Sequence, residues 1–118
     1  MDGFIPESTF CSPLGYGGMV DLYHPSGWVI DYKTKDFDDP DKVKAYDEHA
    51  MQLAAYAHGL GMPDARMMNV FVSRNNPGLI SIHIWDGKAN ENNHFEKFRC
   101  LLDYWQLSKN YQPMEQAA

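Results

Sequence analysis

Asp21, Asp31 and Lys33 are the residues of this 118-residue chain whose types and spacing could do chemistry. Two carboxylates that converge can hold a hard divalent cation such as magnesium through oxygen ligands, and an ammonium beside them can set water against an electrophile. Both aspartates lie in strand-like runs, "MVDLY" and "WVIDYK", although strands disfavour aspartate. Between the runs, "HPSGW" reads as a three-residue hairpin loop, with Pro25 at the second position of a type I turn and Gly27 as a left-handed bulge. A shorter loop would need primed-turn residues, which Pro25 and Ser26 are not. The longer loop pairs His24 with Trp28 and Leu22 with Ile30, which sets Asp21 opposite Asp31, with Lys33 on the same face. Opposed side chains have Cβ atoms roughly 5 Å apart, where like charges are destabilising. A shared cation would relieve that repulsion. The competing reading is a partly exposed ion cluster on a solvated face.

The elements that must position these residues follow from periodicity and breakers. A first strand is expected near "ESTFCS", ahead of the hairpin. The segment 38–61 carries helix signals: Asp39 as N-cap, Pro40 at the first helical position, and Gly59 or Gly61 as the stop. Val43, Tyr46, Ala50, Leu53, Ala54 and Ala57 recur at helical spacing as its buried stripe. His49, Gln52 and Tyr56 form a polar ridge beside that stripe, which would border the two aspartates if the helix packs on their face. The plainer reading of the ridge is the edge of an amphipathic helix. "MMNVFVS" and "LISIHIW" are strands joined across "RNNPG". A last helix over 92–111 repeats Phe95, Phe98, Leu101, Leu102 and Trp105, and is expected to close over the sheet. The order β-β-β-α-β-β-α describes an α/β domain over 1–111, followed by a disordered tail at 112–118.

Composition excludes several classes. The length suits one domain. No apolar run reaches membrane-spanning length, and "MDGFIPESTF" lacks the regions of a signal peptide, so a cytosolic protein without a membrane partner is expected. Cys11 and Cys100 belong to no metal pattern, and two cysteines cannot supply four ligands to an iron–sulfur cluster. The histidines at 24, 49, 58, 83 and 94 lack zinc spacing and read mostly as surface or supporting residues. A net charge of −6 argues against a large nucleic-acid surface. It leaves room for a small one, because Lys33, Lys35, Lys42 and Lys44 bracket the aspartates and could meet a phosphate backbone; ordinary solvation is the alternative.

Three motifs occur in order: "GGMVD", a GxxD ending in Asp21; "DYKTK", a DxK holding Asp31 and Lys33; and "QLAAY", a QxxxY holding Gln52 and Tyr56. Together they resemble the PD-(D/E)xK nucleases, and within them the RecB-like group that includes lambda exonuclease, over roughly residues 7 to 105. The resemblance implies a restriction-endonuclease-like fold, a central mixed sheet flanked by helices. It also implies magnesium- or manganese-dependent cleavage of DNA, by an exonuclease of recombination, repair or phage replication in a bacterial or phage-infected cell. On that likeness Asp21, Asp31 and the backbone carbonyl of Tyr32 become metal ligands, and Lys33 positions the attacking water. Gln52 and Tyr56 become substrate contacts, and Lys35 of the bracketing lysines is expected to join them. Family members usually carry an upstream helix with an acid or histidine that completes the site. Here Glu7 is the substitute carboxylate, or the helix comes from a partner chain or a homo-oligomer. The rival readings are a degenerate member of the fold that binds nucleic acid or protein without cutting, and an ion-binding structural module.

Overall fold

The computed structural model describes residues 3–110. Strands β1 (Ile5–Ser12), β2 (Tyr16–His24), β3 (Trp28–Lys35), β4 (Arg66–Ser73) and β5 (Ile80–Lys88) form one mixed sheet in chain order, and helices α1 (Asp47–Gly59) and α2 (His94–Lys109) complete an α/β fold. Neighbouring strands run antiparallel except β3 and β4, whose parallel pairing requires the crossover that contains α1. The expected tail at 112–118 lies outside the described residues. Among those residues no helix is long and apolar enough to cross a membrane.

The β2–β3 turn has the three-residue loop. His24 pairs with Trp28 and Leu22 with Ile30; the Gly27 N–H donates to the His24 carbonyl at 2.9 Å, and Gly27 has φ of 123°. Beyond Leu22 the paired ladder stops. Val20 and Tyr23 both pack against the core. The neighbouring strand is irregular in the same row. Pro6 pairs with Leu22 and Ser8 with Val20, while Glu7 between them is unpaired in the ladder and takes a left-handed φ of 52°. Asp21 and Asp31 are therefore neighbours across a splayed gap rather than partners in a regular ladder.

The helix expected from Pro40 onward is two pieces. Asp39 does act as a cap, its Oδ1 accepting from the Asp41 N–H at 3.0 Å, but the single 3-10 turn it starts ends at Lys42. Val43 is extended, and two contacts hold the following segment out of helix: Lys35 Nζ donates to the Lys44 carbonyl at 2.9 Å, and the Tyr46 N–H donates to His49 Nδ1 at 2.9 Å. Helix resumes at Asp47. Val43 and Tyr46 thus leave the buried stripe. Ala50, Leu53, Ala54 and Ala57 remain in it, packed with Val20, Val29 and Met67. The alanines let α1 approach the sheet closely, and the fully buried Leu53 contributes about 2 kcal/mol by burial.

With that sheet face taken by α1, α2 packs on α1 rather than closing over the strands. Of its expected stripe Leu102 is buried, Phe95 and Phe98 are half-buried, and Leu101 and Trp105 are exposed. Lys97 Nζ meets Asp47 Oδ2 at 2.9 Å, and Gln106 Nε2 donates to the Leu14 carbonyl at 2.8 Å. Two histidines are more interior than expected: His94 is buried, and His58 stacks on Phe95 with ring centroids 3.6 Å apart. Among the described residues both α-helices cover one face, which corrects the expectation of a sheet flanked by helices. The other face presents Ile80, Ile82 and Ile84, each about half exposed, beside Val72, Val70 and Met68.

Candidate functional site

Asp31 is 4% exposed, an unusual position for a carboxylate. Lys33 Nζ forms an ion pair with its Oδ2 at 3.0 Å. Burial pushes the Asp31 carboxyl up to about 6; the hydrogen bond and charge of Asp21 add to the rise, and Lys33 opposes it. Asp21 Oδ2 accepts from the Tyr32 N–H at 2.8 Å, the donor that a continuing ladder would have paired with a backbone carbonyl. In an extended strand the N–H and C=O of one residue project to the same side, so the Tyr32 carbonyl opens toward the same gap.

The α1 ridge lies where the sequence reading put it. A cleft of about 880 Å³ is lined by Lys33, His49, Gln52 and Tyr56, together with Gly15, Tyr16 and Gly17 and with Phe98, Leu101 and Trp105 of α2. Gln52 Nε2 donates to Tyr56 Oη at 2.7 Å, one helical turn apart. Burial raises the Tyr56 phenol, the Asp31 charge raises it further, and the Gln52 bond works against both. Burial lowers His49, Lys35 and Lys33 lower it more, and Glu48 works the other way, so the neutral ring is favoured. Because Nδ1 accepts from Tyr46, the ring proton is assigned to Nε2.

The glycine of the GxxD motif acquires a physical reason. A Cβ on Gly18 would stand 2.9 Å from Tyr56 Cε1 and 3.2 Å from Phe10 Cζ, so a side chain there would displace the tyrosine that lines the cleft.

Glu7 is exposed and takes a left-handed backbone in the row of β1 that lies across from Asp21; among the described residues no three His, Cys, Asp or Glu side chains converge. Lys35 is turned inward, bonded to the Lys44 carbonyl with its Nζ 4.7 Å from the Phe71 ring centre and 5.0 Å from that of Tyr46. It ties the linker to the sheet instead of reaching into the cleft. The sequence reading also missed Asn69, fully buried beside Asp31 in the parallel ladder. Its Oδ1 accepts from Trp85 Nε1 at 2.9 Å and its Nδ2 has no hydrogen-bond partner. The available signal was a lone amide at an inward position of an otherwise apolar strand. Tyr16 was missed as well; its hydroxyl donates to the Ala55 carbonyl at 2.8 Å and fixes the β1–β2 turn to α1.

The donor set suits a hard cation. It is all oxygen: two carboxylates, one of them buried, and a main-chain carbonyl. Magnesium is commonly held by one or two carboxylates with water completing its shell, so the lack of a third acidic ligand is compatible with it.

No protein-family model and no curated protein matches the chain. Among solved structures the chain is similar to SSO0001, seen in a crystal structure, with a TM-score of 0.51 and 18% identity over 83% of this chain and 50% of that one. The chain thus spans about half the length of SSO0001. At that identity the likeness concerns the α/β fold alone.

Proposed function

We propose that this chain is a magnesium- or manganese-dependent DNA nuclease of the restriction-endonuclease-like, PD-(D/E)xK kind, an exonuclease serving recombination, repair or phage replication. The observation that carries the reading is Asp31: a buried carboxylate ion-paired to Lys33 and set against Asp21, beside a cleft that Gln52 and Tyr56 line. Asp21, Asp31 and the Tyr32 carbonyl would hold the ion, which when bound supplies positive charge against the phosphoryl oxygens and acidifies water. Lys33 donates to the attacking water and counters charge that grows on the phosphoryl group. The hydrogen-bonded Gln52–Tyr56 pair orients the backbone of the nucleic acid along the cleft. A homo-oligomer or a partner chain that contributes to the site belongs to the same reading.

The inward turn of Lys35 favours one rival, a related domain that binds nucleic acid or protein without cutting. One assay separates the two. End-labelled linear and circular DNA is incubated with the protein, with and without magnesium or manganese. The nuclease reading expects metal-dependent cleavage that falls at least a hundredfold, by order of magnitude, in Asp21→Asn, Asp31→Asn and Lys33→Ala while the fold persists. A parent protein that never cuts, or a Lys33→Ala protein that cuts as fast as the parent, overturns it.

A further inference from the structure

The cleft extends well past Lys33. Its far wall is built by α2, where Phe98, Leu101 and Trp105 face Tyr16 of the β1–β2 turn. The Phe98 ring meets Tyr16 edge-on with centroids 4.8 Å apart, and the Tyr16 hydroxyl is anchored to α1, so this wall is braced from two elements. Trp105 is 46% exposed and, with the more exposed Leu101, lines the cleft. Of the lining side chains Lys33 and Glu48 carry formal charges, and their signs are opposite. Such a wall gains little from counterion release, the usual source of phosphate affinity. What it offers is aromatic and apolar area, against which any base with an open π-face gains by stacking. Bases inside a duplex are already stacked and paired, and would have to be extruded first.

We infer that the α2 half of the cleft is a stacking subsite for an unpaired base, held by Trp105 and the Tyr16–Phe98 pair, so that the substrate is a single-stranded DNA end. The inference rests on the nuclease reading for the identity of the substrate, and it adds which form of DNA enters and what grips it. Binding is therefore base-dependent, tolerant of sequence and only weakly sensitive to salt.

The test uses the intact chain in metal-free buffer, where cleavage does not interfere. Fluorescence anisotropy compares labelled oligothymidine, an abasic strand of equal length and a blunt duplex. The expected result is that oligothymidine binds roughly tenfold or more tightly than the abasic strand, in line with stacking on one or two rings, and more tightly than the duplex. Trp105→Ala is expected to lose most of that advantage and Trp105→Phe to keep it, with melting curves showing both variants folded. Equal binding of the abasic strand, preference for the duplex, or an unchanged affinity in folded Trp105→Ala overturns the subsite. Adding magnesium tests the nuclease reading separately. Base-dependent binding without cleavage sinks the nuclease and leaves the subsite standing, whereas cleavage of blunt duplex by a protein indifferent to bases does the reverse.

Discussion

The two ends of the β2–β3 hairpin are built from the same two strands and obey different rules. At the closed end three consecutive pairs, Leu22–Ile30, Tyr23–Val29 and His24–Trp28, hold a regular ladder around a loop whose glycine takes φ of 123°. At the open end the pairing stops, a carboxylate accepts a main-chain N–H, and a second carboxylate is buried in an ion pair with Lys33. Each backbone donor in a regular ladder has a partner, and nothing there is left to bind. The open end gives up that satisfaction, and it is where the oxygen ligands collect. Regular pairing serves stability, while its local failure supplies the unsatisfied groups that a ligand can use.

The sharpest way to break this contrast is Asp31→Asn. The folded carboxyl titrates near 6 against an ordinary value of 3.8, so protonated Asp31 favours the folded state. Its contribution is fully present below about pH 4 and is lost as pH rises toward 6, after which the ionised group opposes folding by about 3 kcal/mol. Urea melts of the metal-free protein should therefore weaken from pH 4 to pH 6, and Asp31→Asn should flatten that window and be the more stable protein at pH 7. Magnesium or manganese at a hundred times its dissociation constant should add about 2.7 kcal/mol to the parent and almost nothing to Asp31→Asn. Identical pH slopes, or the same metal effect in both proteins, would mean that Asp31 bears no strain that an ion relieves.

A smaller effect is expected at Gly18, which lies in β2 on the open side of the break. Gly18→Ala forces the added methyl against Tyr56 and Phe10, and overpacking of this kind costs about 1–3 kcal/mol. Because the displaced ring lines the cleft, activity should fall along with the melting temperature. The combined variant Gly18→Ala with Phe10→Leu should recover part of both; no recovery would show that the crowding is not the cause. The smallest effect belongs to the closed end. A Cβ at Gly27 meets nothing within 4 Å, so Gly27→Ala pays only for its positive φ, about 1 kcal/mol. It should lower the melting temperature slightly and leave turnover per folded molecule unchanged. A large loss of turnover would dissolve the distinction between the two ends.

Local chemistry was legible in the sequence wherever a short stretch decides its own geometry. "HPSGW" fixed the loop and therefore the register, and the i, i+4 spacing of Gln52 and Tyr56 put their side chains in contact. What was not legible depended on distant partners. Nothing in "PDKVKAY" announces that Lys35 will hold the Lys44 carbonyl and interrupt a helix whose cap and proline are in order. The stripe of α2 was visible, but periodicity states only that a face is apolar, and whether sheet, helix or open cleft meets it depends on α1 having already covered the strands. Glu7 was chosen by proximity along the chain, and nothing there announces the left-handed backbone it takes in β1. Asn69 required knowing which strand lies beside Asp31, and that neighbour comes from the far side of the crossover.

That crossover also sets a timetable for assembly. The β1–β2 and β2–β3 pairs and the β4–β5 hairpin are each closed by short loops and can form within microseconds. The β3–β4 ladder, running from Trp28↔Arg66 to Lys35↔Ser73, waits until the whole intervening chain has been looped back, which is the slow, non-local step of such topologies. Asp21 and Asp31 meet early, on a ribbon that water still surrounds. The repulsion between them becomes costly only when α1 and β4 dock and dry the site, so folding speed at neutral pH should carry the imprint of the carboxylates more strongly than the first collapse does.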